Sequence, residues 1–540
     1  MSAAPPEHSD RAANVRQPGA AVPAAGGTPR PTGGSWTAAV VRSWPVLVAC
    51  TAMAVAGLWG IVRDSAMGND EVATHWAALL SLHELAHLLR HVDAVHGLYY
   101  LIMHFWVVVG SSPTAMRIPS VISMVVAAGL IAVIGRRLTG SAWAGVFAGL
   151  IMAVTPSIVY YAQTARSYAL VFACVVGSTL ALLHAMNAEH SPAGPAARPR
   201  WVAYAALIAL GGYLNEMSLL VLAAHAVTVL LARYGKASIK HWLVAGGCGA
   251  ILVLPLAALS VRQQGAIGWI HRPGLDALRT LFHNYFGATA AAGLIVFALA
   301  VIAIVPARDP DSRSSSAWWS AGGVSLQSVA LPLLVLPAFL LLVESLVAHP
   351  LYVDRYVLYG EAGAALLAGA GAARLGQWLT QSGRSRSLLW VPGVVLCACA
   401  LVLQLGPEHT VRTPGSREFN FLGPSQYVAD RARPGDGVLY FGSLFRKAAL
   451  GYPKDWTKVT DISMAESPLT AGTFRGTDKP FSITGPLMLK YQRIWVVGGR
   501  PSASSAPGVL QQESALLERR FVLVAHARFR GIVVTLWQRR

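Results

Sequence analysis

Residues 119–134, PSVISMVVAAGLIAVI, carry no charged side chain and end just before Arg136 and Arg137. An uncharged apolar run of this kind is typical of a helix that crosses the hydrocarbon core of a bilayer. The same character extends over the chain, since 54% of its 540 residues are hydrophobic and 13% are charged. A soluble protein carries about 25% charged residues. The sequence therefore predicts a polytopic, all-α membrane protein.

Further apolar runs predict about eleven transmembrane helices in all. The predicted spans are 44–62, 119–134, 142–156, 168–186, 201–214, 217–232, 242–261, 288–306, 328–347, 357–372 and 388–406. A further run, GLYYLIMHFWVVVG at 97–110, either crosses the membrane or lies as a helix at the interface. This choice matters because it reverses the side of every later loop.

The distribution of basic residues decides between the two arrangements, because Lys and Arg accumulate in cytoplasmic loops. With a cytoplasmic N-terminus and 97–110 at the interface, 16 Lys and Arg residues lie inside and 8 outside, against 10 and 14 if 97–110 spans. The first arrangement is predicted. It makes 1–43 a disordered cytoplasmic tail, 44–406 a transmembrane domain with 63–118 as a long outer loop, and 407–540 an extracytoplasmic domain of a plasma-membrane protein.

The net charge of +18 raises the question of a nucleic-acid partner. The basic residues lie mainly in short loops and at the C-terminus, as membrane topology requires. No nucleic acid is therefore predicted as a partner, whereas membrane lipid is.

The C-terminal region, 407–540, alternates short β-rich runs with polar segments that contain Gly and Pro. Gly435-Asp436-Gly437 leads into VLYFG, and RIWVVGG, RFVLVAHA and GIVVTLW follow. This pattern predicts a small exported α/β domain. It contains no recognisable catalytic motif.

The outer loop opens with Asn69-Asp70-Glu71, directly beyond the first span. Adjacent carboxylates at a membrane surface are either solvated charges at the end of a span or a general base for a hydroxyl nucleophile. Residues 75–93, HWAALLSLHELAHLLRHVD, follow and have apolar side chains at helical spacing. They predict one amphipathic helix in the plane of the interface.

Within this segment, His83-Glu84-Leu85-Ala86-His87 matches the H-E-x-x-H signature of zinc metalloproteases. The metzincin continuation fails because Arg90 stands for its Gly and Asp93 for its His. No distant third ligand is obvious. Zinc proteolysis is therefore kept as an alternative, and the polar face of an interfacial helix is the favoured interpretation.

Several motifs in order along residues 44–372 resemble the family 39 branch of the GT-C glycosyltransferases, which includes protein O-mannosyltransferases and lipid A aminoarabinose transferases. After the Asp-Glu pair come DAVHGLYYLIMHFW at 93–106, MRIPS at 116–120, YYAQTARSY at 160–168, HPLY at 349–352 and DRY at 354–356. The usual His-Pro-Pro-Leu of the family stands here as Val95-His96-Gly97-Leu98, without prolines. The Ala-, Arg- and Gly-rich style is similar to that of actinobacterial members.

The resemblance implies a GT-C fold and an enzyme that transfers a sugar, mannose or another hexose or pentose, from a polyprenyl-phosphate donor. The acceptor is a cell-envelope glycan, a lipid or a protein. Asp70 matches the family's catalytic carboxylate, which takes the acceptor proton, and Glu71 is grouped with it as a residue that orients a neighbouring histidine or arginine. No cofactor is implied with certainty, and the use of a divalent metal stays open.

Cations on the outer face would hold the donor phosphate, and aromatic and polar residues of the matched motifs would surround it. The predicted donor-binding residues are His96, Tyr99, Tyr100, Arg117, Gln163, Arg166, Arg262, Arg272, His349, Tyr352, Arg355 and Tyr356. A transporter or flippase for lipid-linked sugars is a second alternative, which predicts polar residues at mid-membrane depth and repeat symmetry. A non-catalytic scaffold is a third.

The predicted sidedness is testable with a single cysteine introduced at Ser504. Because the basic-residue count places 407–540 outside, this cysteine should react with an impermeant maleimide in intact cells. The native cysteines lie in apolar runs, so the unmodified chain provides the background labelling. Labelling that requires permeabilised cells would reject the topology.

Overall fold

The computed structural model describes residues 35–62, 66–189, 197–305, 323–381, 390–498 and 508–540. The predicted tail up to residue 34 lies outside these residues. The same holds for Ser504 and for the loop residues Arg63, Arg308, Arg313, Arg384 and Arg386.

Helices dominate the chain up to residue 410. They are α1 Ser35–Leu58, α2 Asn69–Leu79, α3 Leu82–His91, α4 Gly97–Trp106, α5 Pro113–Thr139, α6 Ala142–Ala153, α7 Pro156–Ala162, α8 Tyr168–Glu189, α9 Ala197–Leu214, α10 Val221–Ala232, α11 Lys236–Arg262, α12 Leu275–Phe286, α13 Ala290–Ile304, α14 Leu326–Val347, α15 Glu361–Gln381 and α16 Val391–Thr410. Short 3₁₀ segments join some of them, including Asp354–Gly360 before α15.

Five of the described helices, α5, α8, α11, α14 and α16, are long and apolar enough to cross a membrane. Two bent pairs raise this number to seven if each pair is one span, with α6 and α7 meeting at 70° and α12 and α13 at 71°. The mostly helical membrane fold is thereby confirmed. The predicted total of about eleven spans stays a prediction.

The doubtful segment 97–110 contains α4, which has 10 residues. A helix of that length is about 15 Å long, whereas the hydrocarbon core is about 30 Å thick. The residues that follow its C-terminus are strongly exposed, with Val108 at 88% and Val109 at 71%. This geometry fits a helix at the interface, and the side on which it lies remains a prediction.

The single amphipathic helix predicted over 75–93 is wrong, because the segment is split between α2 and α3. The first helix ends at Leu79, and Ser81 caps the start of the next: its hydroxyl accepts from Glu84 N at 3.3 Å, and the Glu84 carboxylate accepts from Ser81 N at 2.8 Å. This reciprocal pair is a capping box, which satisfies N–H groups that a helix start leaves free. The Ser-Leu-His-Glu sequence carried this signal.

The C-terminal region folds as the predicted α/β domain. Its helices are α17 Leu422–Arg431, α18 Lys447–Gly451, α19 Pro468–Ala471, α20 Phe481–Met488 and α21 Val509–Arg520, and its strands are β1 Asp436–Phe441, β2 Val459–Asp461, β3 Met464–Glu466, β4 Thr477–Asp478, β5 Arg493–Gly498, β6 Phe521–Phe529 and β7 Ile532–Arg539. Five strands form one sheet in the order β2-β1-β5-β7-β6, parallel from β2 to β5 and antiparallel from β5 to β6.

The hydrophobic core of this domain continues into the outer loop. Met67 and Val72, at the start of the loop and in α2, are buried in one cluster with Trp495 of the sheet. Met67 N also donates to the Tyr452 hydroxyl at 2.8 Å. Burial of apolar side chains is the main stabilising contribution to such contacts, at about 25 cal/mol per Å². The domain is therefore packed on α2 and is not merely tethered to α16.

Glu71 joins α2 to three other parts of the chain. Its carboxylate accepts two hydrogen bonds at 2.9 Å from Arg117 of α5, and another at 2.9 Å from Ala165 N. Arg417, at the start of the C-terminal domain, lies 3.6 Å away. The side chains of Glu71, Arg117 and Arg417 are 3%, 1% and 2% exposed, so water does not weaken these contacts.

Glu71→Gln should lower the free energy of unfolding by about 3–5 kcal/mol, because it leaves two buried arginines without their carboxylate. Hydrogen bonds and the two arginines hold the Glu71 pKa at about 2 against the effect of burial, compared with an ordinary 4.5. Its contribution is thus complete above about pH 4.5 and is lost as the pH falls towards 2. Denaturation of the purified protein in detergent measures both effects. The matched control is Asp430→Asn, whose carboxylate is 73% exposed; equal stability of the two variants would contradict the assignment.

Candidate active site

Asp70 lies in the first turn of α2, where the free N–H groups of the helix favour a negative charge. Its side chain is 34% exposed, and Oδ2 lies 3.9 Å from both Arg166 Nε and Arg355 Nη2. Burial alone would raise the pKa of Asp70, but the charges of Arg166 and Arg355 hold this pKa well below its usual range. Asp70 is therefore a carboxylate that reaches open space between two guanidinium groups.

Arg166 is fixed by a relay of hydrogen bonds. Its Nη1 donates to the Tyr100 hydroxyl at 3.0 Å, and Tyr100 donates to Asp93 Oδ2 at 2.7 Å. Asp93 has a φ of 58°, in the left-handed region, and such backbone strain is concentrated at functional sites. Arg166 Nε is buried without a hydrogen-bond partner among the described residues. One strong donor of a buried cation is therefore left for a ligand.

Arg355 reaches Asp70 from the 3₁₀ segment before α15. Its Nε donates to the Tyr168 hydroxyl at 3.0 Å. Its guanidinium carbon lies 5.9, 5.4 and 5.8 Å from the ring centres of Tyr168, Trp269 and Tyr356. Aromatic faces attract a cation at these distances. The rings thus hold Arg355 in place while its Nη2 faces the carboxylate.

His96 is the third predicted residue beside Asp70. It is 5% exposed, its Nδ1 has no hydrogen-bond partner in the described part of the chain, and its ring centre lies 6.1 Å from that of Tyr100. Burial, together with the charge of Arg166, lowers the pKa of His96 to about 3. The imidazole is therefore neutral at physiological pH and available as a hydrogen-bonding group.

Lys447, in α18 of the C-terminal domain, contacts the first residue of α2, next to Asp70. Its Nζ donates to Asn69 Oδ1 at 2.8 Å and to Asn69 O at 3.3 Å. The ammonium lies 5.2 Å from the ring centre of Phe474, and the residue is 6% exposed. Its charge is one of those that lower the pKa of Asp70.

Other predicted site residues belong to the surrounding framework. Glu71 and Arg117 are engaged with each other in the buried cluster and do not line the space beside Asp70. Gln163 donates to Gly57 O and Trp59 O, both at 2.9 Å. Tyr99 is fully buried. These residues hold the segments that carry Asp70 and Arg166, and direct phosphate binding by Arg117 or Gln163 does not fit this geometry.

Four further predicted residues lie apart from the cluster. Arg262, Arg272 and His349 are exposed and have no described hydrogen bond or ion pair to it. Tyr352 packs against a small apolar cluster. Sequence position on the outer loops could not distinguish these residues from Arg166 and Arg355, because it gives no distance to Asp70.

The H-E-x-x-H histidines occur on α3, away from Asp70. His87 Nε2 lies 3.3 Å from Thr470 O, and the His87 and His91 rings meet edge to face at 4.7 Å. No group of three or more His, Cys, Asp or Glu side chains that could hold a metal ion occurs within the described ranges. The third ligand that a zinc protease needs is thus missing from this part of the chain.

A cavity of about 670 Å³ adjoins the cluster, within the size range of ligand pockets. It reaches the cluster through Asp354, the neighbour of Arg355, and through Tyr161, whose ring lies 5.5 Å from that of Tyr168. Its lining residues are Pro156, Ser157, Tyr160, Tyr161, His283, Asn284, Ala288, Asp354, Gly406, Pro407, Thr410 and Val411. The wall is mainly apolar and includes the polar side chains of Ser157, Asn284 and Asp354, of which Asn284 donates to Asp354 Oδ2 at 2.9 Å.

Sequence reasoning did not identify Asp93, Tyr168, Trp269, Lys447 and Arg417 as parts of this site. Tyr168 ends a matched motif, so a signal for it existed. Arg417 and Lys447 lie more than three hundred residues from Asp70 in the chain, in a region without a recognisable motif. Only the packing of the C-terminal domain on α2 brings them to the site.

Comparison with family models, curated proteins and solved structures gives three findings. The family model described as dolichyl-phosphate-mannose-protein mannosyltransferase matches residues 96–259. No curated protein matches the chain. Among solved structures, the chain is similar to apo ArnT from Cupriavidus metallidurans, with 13% identity and a TM-score of 0.56 over 93% of this chain and 98% of that one. It is also similar to the same protein bound to undecaprenyl phosphate, with 14% identity and a TM-score of 0.53 over the same shares.

These similarities concern the fold, because the sequence identity is low. They extend over nearly the whole chain, including the C-terminal domain, and the family match falls on the segment that carries His96, Tyr100 and Arg166. The chain therefore has the fold of these solved structures, in agreement with the GT-C fold that the sequence motifs predicted.

Proposed function

We propose that this chain transfers a sugar from a polyprenyl-phosphate donor to an acceptor hydroxyl on the outer face of the plasma membrane. The observation that carries the proposal is the position of Asp70 between Arg166 and Arg355, at 3.9 Å from each. A carboxylate can remove a proton from a hydroxyl nucleophile, and two guanidinium groups match the geometry of a phosphate. A base for the acceptor hydroxyl and cations for the leaving phosphate, which a displacement at an anomeric carbon requires, are thus adjacent.

In the reaction, the acceptor oxygen attacks the anomeric carbon of the donor sugar. The bond from that carbon to the phosphate oxygen breaks, and the acceptor proton passes to Asp70. The donor phosphate, a monoanionic diester, leaves as polyprenyl phosphate with a second ionisable oxygen. Arg166 and Arg355 stabilise the charge that develops on this oxygen, which is the type of interaction that accelerates such transfers most.

A carboxylate with a depressed pKa is a weak base, so the charges around Asp70 matter for its activity. A bound donor phosphate would offset the charges of Arg166 and Arg355. The pKa of Asp70 would then rise towards its ordinary value, since the favourable charges would be shared with the phosphate. Donor binding would thereby make Asp70 a better base.

The donor class is supported by what the similar proteins are named for. One solved ArnT structure is described as bound to undecaprenyl phosphate, and the matched family is named for dolichyl-phosphate-mannose as the donor. Both are polyprenyl phosphates. The sugar is mannose or another hexose or pentose, and the acceptor is a glycan, a lipid or a protein of the cell envelope. The cavity beside Arg355 offers hydroxyl-binding groups for one of these sugars.

Asp70→Asn should lower turnover by about 10²- to 10⁴-fold, because it keeps the shape of the side chain but removes the base. Donor binding should persist, since the arginines remain. The measurement is the initial transfer rate in proteoliposomes, with a binding assay for the donor alongside. The matched control is Asp276→Asn, an exposed carboxylate on α12. Near-normal turnover of Asp70→Asn would mean that Asp70 is not the base.

Arg355→Ala should weaken donor binding by about 2–5 kcal/mol, or roughly 30- to 5,000-fold in Kd, because it removes a cation from a desolvated phosphate contact. Arg279→Ala is the matched control, since Arg279 is exposed on α12. Titration of each variant with the polyprenyl-phosphate sugar gives the two Kd values. Equally small effects would make Arg355 an interfacial anchor rather than a phosphate ligand.

A further inference from the structure

Lys447 is a buried cation that the proposed reaction has not yet used. The residue is 6% exposed, and both of its hydrogen bonds go to Asn69, through Oδ1 at 2.8 Å and the carbonyl oxygen at 3.3 Å. An ammonium group has three donors, so one is left over. A buried Lys without a carboxylate at ion-pair distance is costly for a folded protein, and no such carboxylate occurs among the described residues.

The position of Lys447 explains why this cost is tolerated. Asn69, its partner, directly precedes Asp70, and the charge of Lys447 acts on Asp70 together with those of Arg166 and Arg355. Lys447 thus adds a third cation to Arg166 and Arg355 near Asp70, and its own bonds go to an uncharged amide and a carbonyl oxygen. Phosphate oxygens are the ligands that such a cluster binds. During transfer the phosphate gains a second ionisable oxygen, so the third cation is most useful at that stage.

We propose that Lys447 is a phosphate ligand of the active site, so that the C-terminal domain completes the binding site for the donor phosphate together with Arg166 and Arg355. This inference rests on the proposed function and names a residue and a domain for it. The C-terminal domain thus contributes a side chain to the binding of the donor phosphate.

A purely structural role for Lys447, as the anchor of the domain on α2, predicts different results. Docking has other contributions: Met67 and Val72 are buried in the core of the domain, and Arg417 donates to Thr164 Oγ1 and Gln163 O at 3.0 Å. The domain should therefore stay in place without Lys447. Replacement of a buried charge by an apolar side chain of similar volume is often neutral or stabilising.

The experiment compares Lys447→Met, Lys447→Arg and the control Lys458→Met in the full-length protein in nanodiscs. Lys458 belongs to the same domain and donates to Ala429 O on an exposed face. The probe is polyprenyl phosphate, with polyprenol and inorganic phosphate as separate arms. Lys447→Met should weaken polyprenyl phosphate binding roughly 10- to 100-fold, as expected for a lost charge-assisted hydrogen bond. Lys447→Arg should retain most of the affinity, and Lys458→Met all of it.

Polyprenol binding and the thermal midpoint without ligand should be unchanged by Lys447→Met. Weaker binding of inorganic phosphate as well would show that the phosphate, and not the lipid, is what Lys447 recognises. If the unmodified protein binds polyprenyl phosphate and Lys447→Met binds it equally well, the inference fails and the proposed function stands. If the unmodified protein does not bind polyprenyl phosphate, the proposed function itself fails.

The pH profile provides a readout that a structural role would not change. Burial, together with the charges of Arg166 and Arg475, outweighs the opposing effect of Asp70 and Asp93 and lowers the pKa of Lys447 to about 8. Its charge is thus present below about pH 8 in the empty site and is lost above. We expect kcat/KM to decline above this pH, and Lys447→Arg to remove the decline because a guanidinium stays charged. An identical decline in Lys447→Arg would overturn the inference.

Discussion

The buried contact between Glu71, Arg117 and Arg417 is the constraint on which the arrangement of the candidate site depends. It connects α2, a membrane helix, the loop before α8 and the start of the C-terminal domain through one carboxylate that is 3% exposed. Its neighbour Asp70 and the neighbour of Ala165, Arg166, are consequently fixed relative to each other. The 3.9 Å separation of carboxylate and guanidinium thus follows from an interaction in which neither residue takes part.

Around this fixed point, uncharged partners hold three positive charges in place, and Arg166 and Arg355 share the single carboxylate of Asp70. Arg166 donates a hydrogen bond to Tyr100, and Lys447 donates one to Asn69. Arg355 packs against three aromatic rings. Such partners orient a cation without cancelling its charge, because hydroxyls, amides and ring faces carry no net charge. The left-handed backbone of Asp93 belongs to the same arrangement. The site is thereby organised before any phosphate arrives, which reduces the ordering cost of binding.

The sequence was sufficient for the class of fold and for part of the site. Uncharged apolar runs predicted the helices, the matched motifs led to Asp70, His96, Tyr100, Arg166 and Arg355, and β-rich runs predicted the α/β domain. Sequence patterns could not show which charged residues lie close to Asp70 in space. Glu71 and Arg117 carry the same charges as residues that bind substrate, and only burial shows that they bind each other. Lys447 had no motif, because its role depends on domain packing.

One feature of this architecture concerns the order in which the chain is made. Synthesis produces Asp70, Arg166 and Arg355 early, whereas Arg417 and Lys447 follow after α16, and the core that seats them needs Trp495 and β7, near the end. A nascent chain with all its membrane helices inserted would still lack the contact between Arg417 and Glu71. The proposed site would thus be complete only after β7 has folded, so a chain that has not reached this stage would not bind the proposed lipid-linked donor.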